Sequence, residues 1–333
     1  KFTLYFLDEL ILYSIEQRAS DIHIEKYQDL CLFKFRVDGR LRIFFSFDEE
    51  LFRVFSSFVK LISNLDMTQI RLALDGRFSR NINDKKYDFR LSTMPTIQAE
   101  SIVLRILDNK NIDKKLNDLG LSQDIYENLK DILKLTQGLI LISGPTGSGK
   151  TTTLYSILKE LNSDDKKIIT VEDPIEYKID SINQVPINNK VGLSFELVLK
   201  NILRQDPDII FIGEIRDKFS LDIALQASLT GHLVLASIHA SSSVETITRL
   251  IDLKADPFLI STTLKAVMAQ RLVLAHCKSC ENGCKKCNFT KFYDRTSISE
   301  ILKVDEQISS LIFNKASFNE LKEYLKNINF KTN

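Results

Sequence analysis

One short segment of this chain has the residue types needed to hold a phosphate group. Residues 144–151 read GPTGSGKT and directly follow an apolar run at 138–143. Glycines let backbone N–H groups close around phosphate oxygens, where a Cβ atom would collide. We expect Lys150 to reach the β- and γ-phosphates of a nucleotide and the Thr151 hydroxyl to bind Mg²⁺. The alternative is a chance glycine-rich turn, which does not explain a Lys-Thr pair at these offsets. The candidate phosphate-binding residues are Gly144, Pro145, Thr146, Gly147, Ser148, Gly149, Lys150, Thr151 and Thr152.

Two further apolar runs end in a carboxylate. Residues 208–213 lead into Glu214, and residues 168–171 lead into Glu172. A carboxylate at the carboxyl end of a strand beside the phosphate loop can hold a metal ion through its waters. Glu214 is therefore a candidate ligand of Mg²⁺, and Glu172 a candidate to orient or deprotonate the attacking water. The alternative for either residue is a helix cap or a turn.

Two histidines flank the next apolar run, which spans residues 233–238. His232 precedes this run and His239 follows it. Because the run comes next in order after Glu214, the pair suggests a sensor of the γ-phosphate. The alternative is a structural role for each ring at a strand end.

Four of the five cysteines lie within eleven residues. They form two C-x₂-C pairs separated by residues 281–283, whereas Cys31 stands alone. Four thiolates suffice for a tetrahedral Zn²⁺ site, and Gly283 would help the tight reversal that so short a spacer requires. The alternatives are four free thiols or an iron–sulfur cluster, although no other residue pattern indicates redox chemistry. The predicted zinc ligands are Cys277, Cys280, Cys284 and Cys287.

The remaining pattern predicts two domains that position these groups. Residues 1–107 combine helical periodicity at 2–16 and 51–65 with alternating strands, which indicates a small α/β domain. A polar stretch within residues 108–120 is typical of a linker. From residue 121 to 333, buried strands alternate with helices, as in a parallel-sheet domain, and this region includes the cysteine lobe at 276–290 and a helical tail.

Composition narrows the functional classes. The chain has 45 Lys and Arg against 44 Asp and Glu, so the formal net charge is only +1. This balance argues against a nucleic-acid partner, because proteins that bind nucleic acids usually have a surplus of basic residues. No run approaches the ~18 apolar residues that span a bilayer, and no signal peptide is visible, so we expect a cytoplasmic location.

Six blocks, in this order, resemble the secretion ATPases that drive type II secretion and type IV pilus assembly. The resemblance implies a RecA-like phosphate-loop domain, a smaller N-terminal PAS-like α/β domain and a cysteine-rich zinc lobe, which assembly and secretion members often carry and retraction members generally lack. The blocks are RASDIHIE at 18–25, DGR at 75–77, GPTGSGKTTTLY at 144–155, VEDPIEY at 171–177, residues 203–217 with GEIRD at 213–217, and residues 230–239 from TGH to His239.

The resemblance implies a homohexameric motor beneath the inner membrane that uses ATP, Mg²⁺ and Zn²⁺. Such a motor passes its movement to an inner-membrane platform protein, which adds pilin or pseudopilin subunits to a fibre. The family places arginines against the triphosphate at positions that match Arg77 and Arg90, and a guanidinium fork suits phosphoryl oxygens. The family's roles for Lys150, Thr151 and Glu214 agree with those expected from the residues, and its water-activating role falls on Glu172.

Three other functions stay open at this point. A pilus retraction ATPase is the nearest alternative, and a nucleic-acid translocase with a zinc knuckle is another. A nucleotide-bound scaffold without turnover is the third, and the complete set of phosphate-loop and acidic residues argues against it.

Overall fold

The computed structural model describes residues 2–28, 30–107 and 114–332. Contacts divide the chain into two compact units: unit 1 comprises residues 1–109 and 276–294, and unit 2 comprises residues 110–275 and 295–333. Residues 108–113 of the predicted linker at 108–120 lie outside the described residues. The cysteine lobe belongs to unit 1 by its contacts, whereas the sequence pattern predicts residues 276–290 as part of the ATPase domain.

Unit 1 contains a six-stranded sheet in the order β3-β2-β1-β6-β5-β4. Every neighbouring pair of these strands is antiparallel. The second helix begins where the sequence provides a cap: the carboxylate of Asp48 accepts a hydrogen bond from the N–H of Leu51 at 3.0 Å. The elements are α1 (Phe2–Glu16), β1 (Ala19–Tyr27), β2 (Leu30–Val37), β3 (Arg40–Asp48), α2 (Glu49–Ile62), β4 (Leu74–Ile82), β5 (Lys85–Pro95) and β6 (Glu100–Leu107).

One face of this sheet carries the core of unit 1, and the other face is polar. Helices α1 and α2 cover the apolar face, where Phe6, Phe33 and Phe55 pack edge to face with ring centroids 5.7–5.8 Å apart. On the polar face, Arg77 lies directly opposite Arg90, which lies opposite Arg105 on the next strand. The alternation of apolar and polar residues in the sequence follows from this one-sided burial.

Unit 2 is built on a seven-stranded sheet in the order β13-β12-β7-β11-β10-β8-β9. Strands β12, β7, β11, β10, β8 and β9 run parallel. The last residue of β12, His276, and the first residues of β13, 292–294, are grouped with the cysteine lobe in unit 1. The elements are α3 (Gln123–Ile132), β7 (Gly138–Ser143), α4 (Lys150–Leu161), β8 (Ile168–Glu172), β9 (Asn183–Pro186), α5 (Phe195–Ile202), β10 (Ile209–Ile212), α6 (Lys218–Leu229), β11 (Leu233–Ile238), α7 (Ser243–Asp252), α8 (Pro257–Thr263), β12 (Leu264–His276), β13 (Phe292–Lys303), α9 (Glu306–Phe313) and α10 (Phe318–Asn327).

Helices cover both faces of the parallel strands. In β7, Leu139 and Leu141 pack into the core with α5 to α10, while Ile140 and Ile142 pack with α3 and α4 on the opposite face. This burial on both sides explains why these strands are unbroken apolar runs in the sequence. The predicted parallel-sheet architecture is confirmed.

Within the described ranges, no helix is both long and apolar enough to cross a membrane.

Candidate active site and metal centre

The phosphate loop connects β7 to the amino end of α4. Gly144 has φ +152° and Gly149 has φ +89°. A Cβ atom on Gly144 would lie 2.4 Å from the backbone oxygen of Gln270, and one on Gly149 would lie 2.8 Å from that residue's side-chain nitrogen. Both positions therefore require glycine for space as well as for backbone conformation. The loop ends at the amino terminus of α4, where the helix dipole favours an anion.

The polar groups of the loop fit a phosphate ligand. The Nζ of Lys150 donates to the carbonyl of Gly144 at 2.7 Å and to that of Pro145 at 3.1 Å. Burial lowers the pKa of Lys150, and the charge of Glu214 acts in the opposite direction. The hydroxyl of Ser148 is buried and has no hydrogen-bond partner among the described residues. The half-buried ammonium group of Lys150 donates to carbonyls of its own loop, so it can turn to an anion that enters the loop.

The sheet brings the predicted acidic residues to the same edge as the loop. Strands β7, β11, β10 and β8 are neighbours in that order and run parallel, so their carboxyl ends meet at one edge. The segment after β7 carries Lys150, the segment after β11 carries His239 and the segment after β10 carries Glu214. Glu172 is the last residue of β8. The sequence could predict each strand but not this order of neighbours.

Glu214 is the central carboxylate at this edge. Its Oε1 lies 2.9 Å from Nε2 of His239, and its Oε2 accepts a hydrogen bond from Nε of Arg216 at 2.7 Å. The hydrogen bond to Glu214 raises the pKa of Arg216. The side chain of Glu214 keeps 23% of its surface exposed, so it can meet a hydrated cation. Sequence reasoning missed Arg216, although it lies within the GEIRD block.

His232 is not part of this arrangement. It lies before β11, at the amino edge of the sheet, where its carbonyl accepts a hydrogen bond from the N–H of Gly138 at 3.0 Å. Its Nδ1 lies 2.9 Å from the carbonyl oxygen of Ala227. Because β11 has six residues, the two histidines are separated by roughly 20 Å. The structure therefore brings His239, and not His232, to the edge that carries the phosphate loop, and the role of the two rings as γ-phosphate sensors stays a prediction.

Glu172 is buried in a network of side chains rather than open to the loop. Only 3% of its surface is exposed. Its oxygens accept hydrogen bonds from the hydroxyl of Thr170 at 2.6 Å, from the amide of Gln184 at 3.2 Å and from the hydroxyl of Tyr155. The Tyr155 oxygen in turn accepts a hydrogen bond from the N–H of Glu176 at 3.2 Å. With both oxygens occupied by protein donors, Glu172 is better placed to fix α4 against β8 and β9 than to take a proton from water.

The two predicted arginines lie in unit 1. Arg77 is exposed on β4, and Arg90 is half-buried opposite it on β5. The next residue in this row, Arg105, donates to the carboxylate of Asp21 at 2.9 Å. The polar face of the unit 1 sheet thus presents a row of guanidinium groups.

The four clustered cysteines meet at one point in unit 1. Their sulfur atoms all lie within 4.8 Å of one another. A tetrahedron with Zn–S bonds of about 2.3 Å has S–S edges of about 3.8 Å. The measured S–S distances are 4.0 Å for Cys277 and Cys284, 3.6 Å for Cys280 and Cys287, and 3.8 Å for Cys284 and Cys287. The backbone N–H of Cys284 lowers the pKa of Cys287 to about 6, which favours its thiolate form. These residues fit a zinc ion.

The short spacer between the cysteine pairs depends on one glycine. Gly283 has φ +105°, and a Cβ atom there would lie 2.9 Å from the carbonyl oxygen of Phe289. The reversal expected from the sequence therefore has a geometry that other residues rarely adopt.

Unit 2 has a parallel sheet covered on both faces, and its phosphate loop, bounded by glycines, lies beside a strand end that carries a carboxylate. These features define the class of phosphate-loop ATPases. Residues 2–332 match the family model described as Type II/IV secretion system protein. The chain therefore belongs to this family, which confirms the resemblance read from the six blocks.

Individual relatives agree with this assignment. The chain is 40% identical to the type II secretion system ATPase E of Vibrio cholerae serotype O1, over 94% of this chain and 67% of that protein. It is 39% identical to the type II secretion system protein E of Aeromonas hydrophila, over 92% of this chain and 66% of that protein. The chain thus spans about two thirds of the length of these relatives.

Two solved structures have a similar fold. The Legionella pneumophila ATPase DotB is 25% identical with a TM-score of 0.78, and the match covers 97% of this chain and 87% of that one. The pilus retraction motor PilT, solved with bound ADP, is 26% identical with a TM-score of 0.67, covering 96% of this chain and 88% of that one.

Proposed function

We propose that this chain is a motor subunit that hydrolyses ATP to drive assembly of a type II secretion pseudopilus or a type IV pilus. The observation that carries this proposal is the phosphate loop with Glu214 at the same sheet edge, in a chain whose curated relatives are named for type II secretion. The likeness to PilT favours retraction as the second candidate. Assembly is preferred because the tetracysteine cluster is a feature that retraction members generally lack.

In this proposal Lys150 binds the β- and γ-phosphates, leaving the carbonyls of Gly144 and Pro145. Thr151 and Glu214 hold Mg²⁺, which neutralises charge on the phosphate oxygens when bound. His239, whose Nε2 lies 2.9 Å from Glu214, can hold that carboxylate in place and report on the γ-phosphate. The other residues from 144 to 152, except Pro145, which has no backbone N–H, supply N–H groups and the start of α4.

Activation of the attacking water requires a carboxylate that the water can reach. The bonding of Glu172 supports a positioning role, in which it holds Tyr155 and, through that hydroxyl, the backbone at Glu176. The carboxylate of Glu176 is exposed on the same segment, and Glu214 is partly exposed. These two are therefore the candidates that a water molecule can reach.

Arg77 and Arg90 are proposed to stabilise the charge that builds on the phosphoryl oxygens during transfer. Because they belong to unit 1 and the loop belongs to unit 2, a change in the arrangement of the units would switch hydrolysis on or off. A homohexamer, in which such changes pass from subunit to subunit, is the assembly we propose.

The proposed location is the cytoplasmic side of the inner membrane, where the motor would act on a platform protein of the secretion or pilus machine. The near-neutral charge of the chain supports a protein partner rather than a nucleic acid. The four cysteines are proposed to bind one structural zinc ion per chain, since a site with four protein ligands has no open position for chemistry.

Two measurements test these assignments. Steady-state ATP hydrolysis should be lost in Lys150→Ala, together with most nucleotide binding, because the phosphates lose their fixed counter-charge. Adding single- or double-stranded DNA to the wild-type chain should leave the rate unchanged. Strong stimulation by DNA would favour a translocase, and normal turnover in Lys150→Ala would refute the site.

Zinc is tested by elemental analysis of the purified chain, with an expected content near one per chain. A content near zero, or the visible absorption of an iron–sulfur cluster, would contradict the zinc assignment.

A further inference from the structure

Gln270 is a buried polar residue in an otherwise apolar stretch of β12. Only 3% of its surface is exposed, and Val267, Met268 and Ala269 just before it are fully buried. Its side chain makes two hydrogen bonds, and both lead to the segment that begins α4. The amide nitrogen donates to the carbonyl of Ser148 at 2.8 Å, and the amide oxygen accepts from the hydroxyl of Thr153 at 2.8 Å.

The bond to Ser148 determines the direction of a neighbouring N–H group. A peptide unit is planar and trans, so the C=O of Ser148 and the N–H of Gly149 point in opposite directions. Because Gln270 draws the carbonyl towards β12, the N–H of Gly149 must point away from β12. Gly149 immediately precedes α4 and lies in the loop that would enclose the phosphates.

The carbonyl of Ser148 sets the orientation of the amide, and the bond to Thr153 anchors it there. If the amide were rotated by 180°, its oxygen would face the carbonyl oxygen of Ser148, and the two acceptors would repel each other. In the observed orientation the hydroxyl of Thr153 donates to the amide oxygen, which fixes the far end of the Gln270 side chain beside Ser148. The backbone N–H of Thr153 also donates to the carbonyl of Gly149 at 3.0 Å, which closes the first turn of the helix.

We propose that Gln270 is a positioning residue for the phosphate loop, which aims the N–H of Gly149 at the β-phosphate by holding the carbonyl of Ser148. This inference rests on the proposed nucleotide site. It also accounts for the glycine at 149, since a Cβ atom there would lie 2.8 Å from the amide nitrogen of Gln270.

The test compares nucleotide affinities of the full chain with those of four variants. Gln270→Met has nearly the same shape and removes both bonds, and Thr153→Val removes only the bond that anchors the amide. Loss of the bond that holds the Ser148 carbonyl should weaken ATP and ADP binding about three- to tenfold in Gln270→Met, with a smaller loss in Thr153→Val. Thr153→Ser, which restores the hydroxyl, should recover most of the affinity lost in Thr153→Val. Gln123→Met, a substitution on the exposed surface of α3, should bind like wild type.

Competition by AMP separates a positioning role from general damage, because AMP has no β-phosphate for the loop to hold. AMP affinity should be unchanged in all four variants. Wild-type affinity for ATP and ADP in both Gln270→Met and Thr153→Val, or an equal loss for AMP, would overturn the inference. Failure of the wild-type chain to bind ATP would refute the nucleotide site itself and the role of Gln270 with it.

Discussion

Replacing Glu172 by Gln separates the two roles that this carboxylate could have. As a general base, Glu172 would be needed for turnover but not for stability. As a positioning residue, it would be needed for stability, because three side chains donate to it in the buried space between α4, β8 and β9.

The size of the effect follows from the hydrogen bonds. A glutamine has one acceptor oxygen, which can still receive Thr170 and Gln184, but its NH₂ group then faces Tyr155. The hydrogen of the Tyr155 hydroxyl loses its acceptor in a buried site, and the remaining bonds lose their charge. Loss of one bond to a charged group costs about 1.5–3 kcal/mol. For a domain of about 200 residues, this corresponds to a fall in melting temperature of about 3–12 °C.

Thermal unfolding and single-turnover hydrolysis on the same preparations form the assay. Glu172→Gln should melt at a lower temperature and, below that temperature, should lose less than about tenfold in turnover. Glu214→Gln is the matched control, because its partly exposed carboxylate should affect melting little and turnover by about a hundredfold or more. A normal melting temperature in Glu172→Gln, with a hundredfold loss of turnover, would refute this reasoning and restore Glu172 as the base.

Three other predictions concern charge, metal and the arginines. Burial lowers the pKa of Lys150 below its usual value of about 10.4, so ATP affinity should fall as pH rises through the lowered pKa. The Lys150→Arg variant, whose side chain is always charged, should bind ATP with an affinity that does not change over this pH range. Equal dependence of ATP affinity on pH in the two proteins would contradict this. Gly283→Ala should lose zinc to a colorimetric chelator faster than wild type, because its Cβ would meet the Phe289 carbonyl. The control Gly39→Ala, with φ +84° and open space around the residue, should release zinc at the wild-type rate. Equal rates of zinc loss in the two variants would show that Gly283 does not stabilise the zinc site. Arg77→Ala or Arg90→Ala should bind ATP normally in equilibrium titrations but hydrolyse it at least about tenfold more slowly. Wild-type rates in both variants would refute a role for these arginines in hydrolysis. Activity regained on mixing Arg77→Ala with Lys150→Ala chains would show that the arginines act across subunits.

Much of the candidate site could be predicted from local sequence. The phosphate loop needs consecutive residues at fixed spacing, so residues 144–151 identify it without knowledge of the fold. The two C-x₂-C pairs are local in the same way, and their sulfur atoms meet at distances that suit zinc. Alternation of apolar residues also distinguished the one-sided sheet of unit 1 from the two-sided sheet of unit 2, because each residue's environment there depends mainly on the repeat of its own strand.

The tertiary structure alone decided which of the other candidates meet. Glu172 and Glu214 are equivalent in sequence, each closing an apolar run, but Tyr155, Thr170 and Gln184 enclose only the first. His232 and His239 flank one strand and therefore lie at opposite edges of the sheet, because a strand separates its two ends. Gln270 is 122 residues from Ser148 in the chain and reaches it only because β12 lies beside β7. Spacing along the chain determines chemistry within one turn or one strand, whereas contacts between strands depend on the order of the sheet, which no single segment contains.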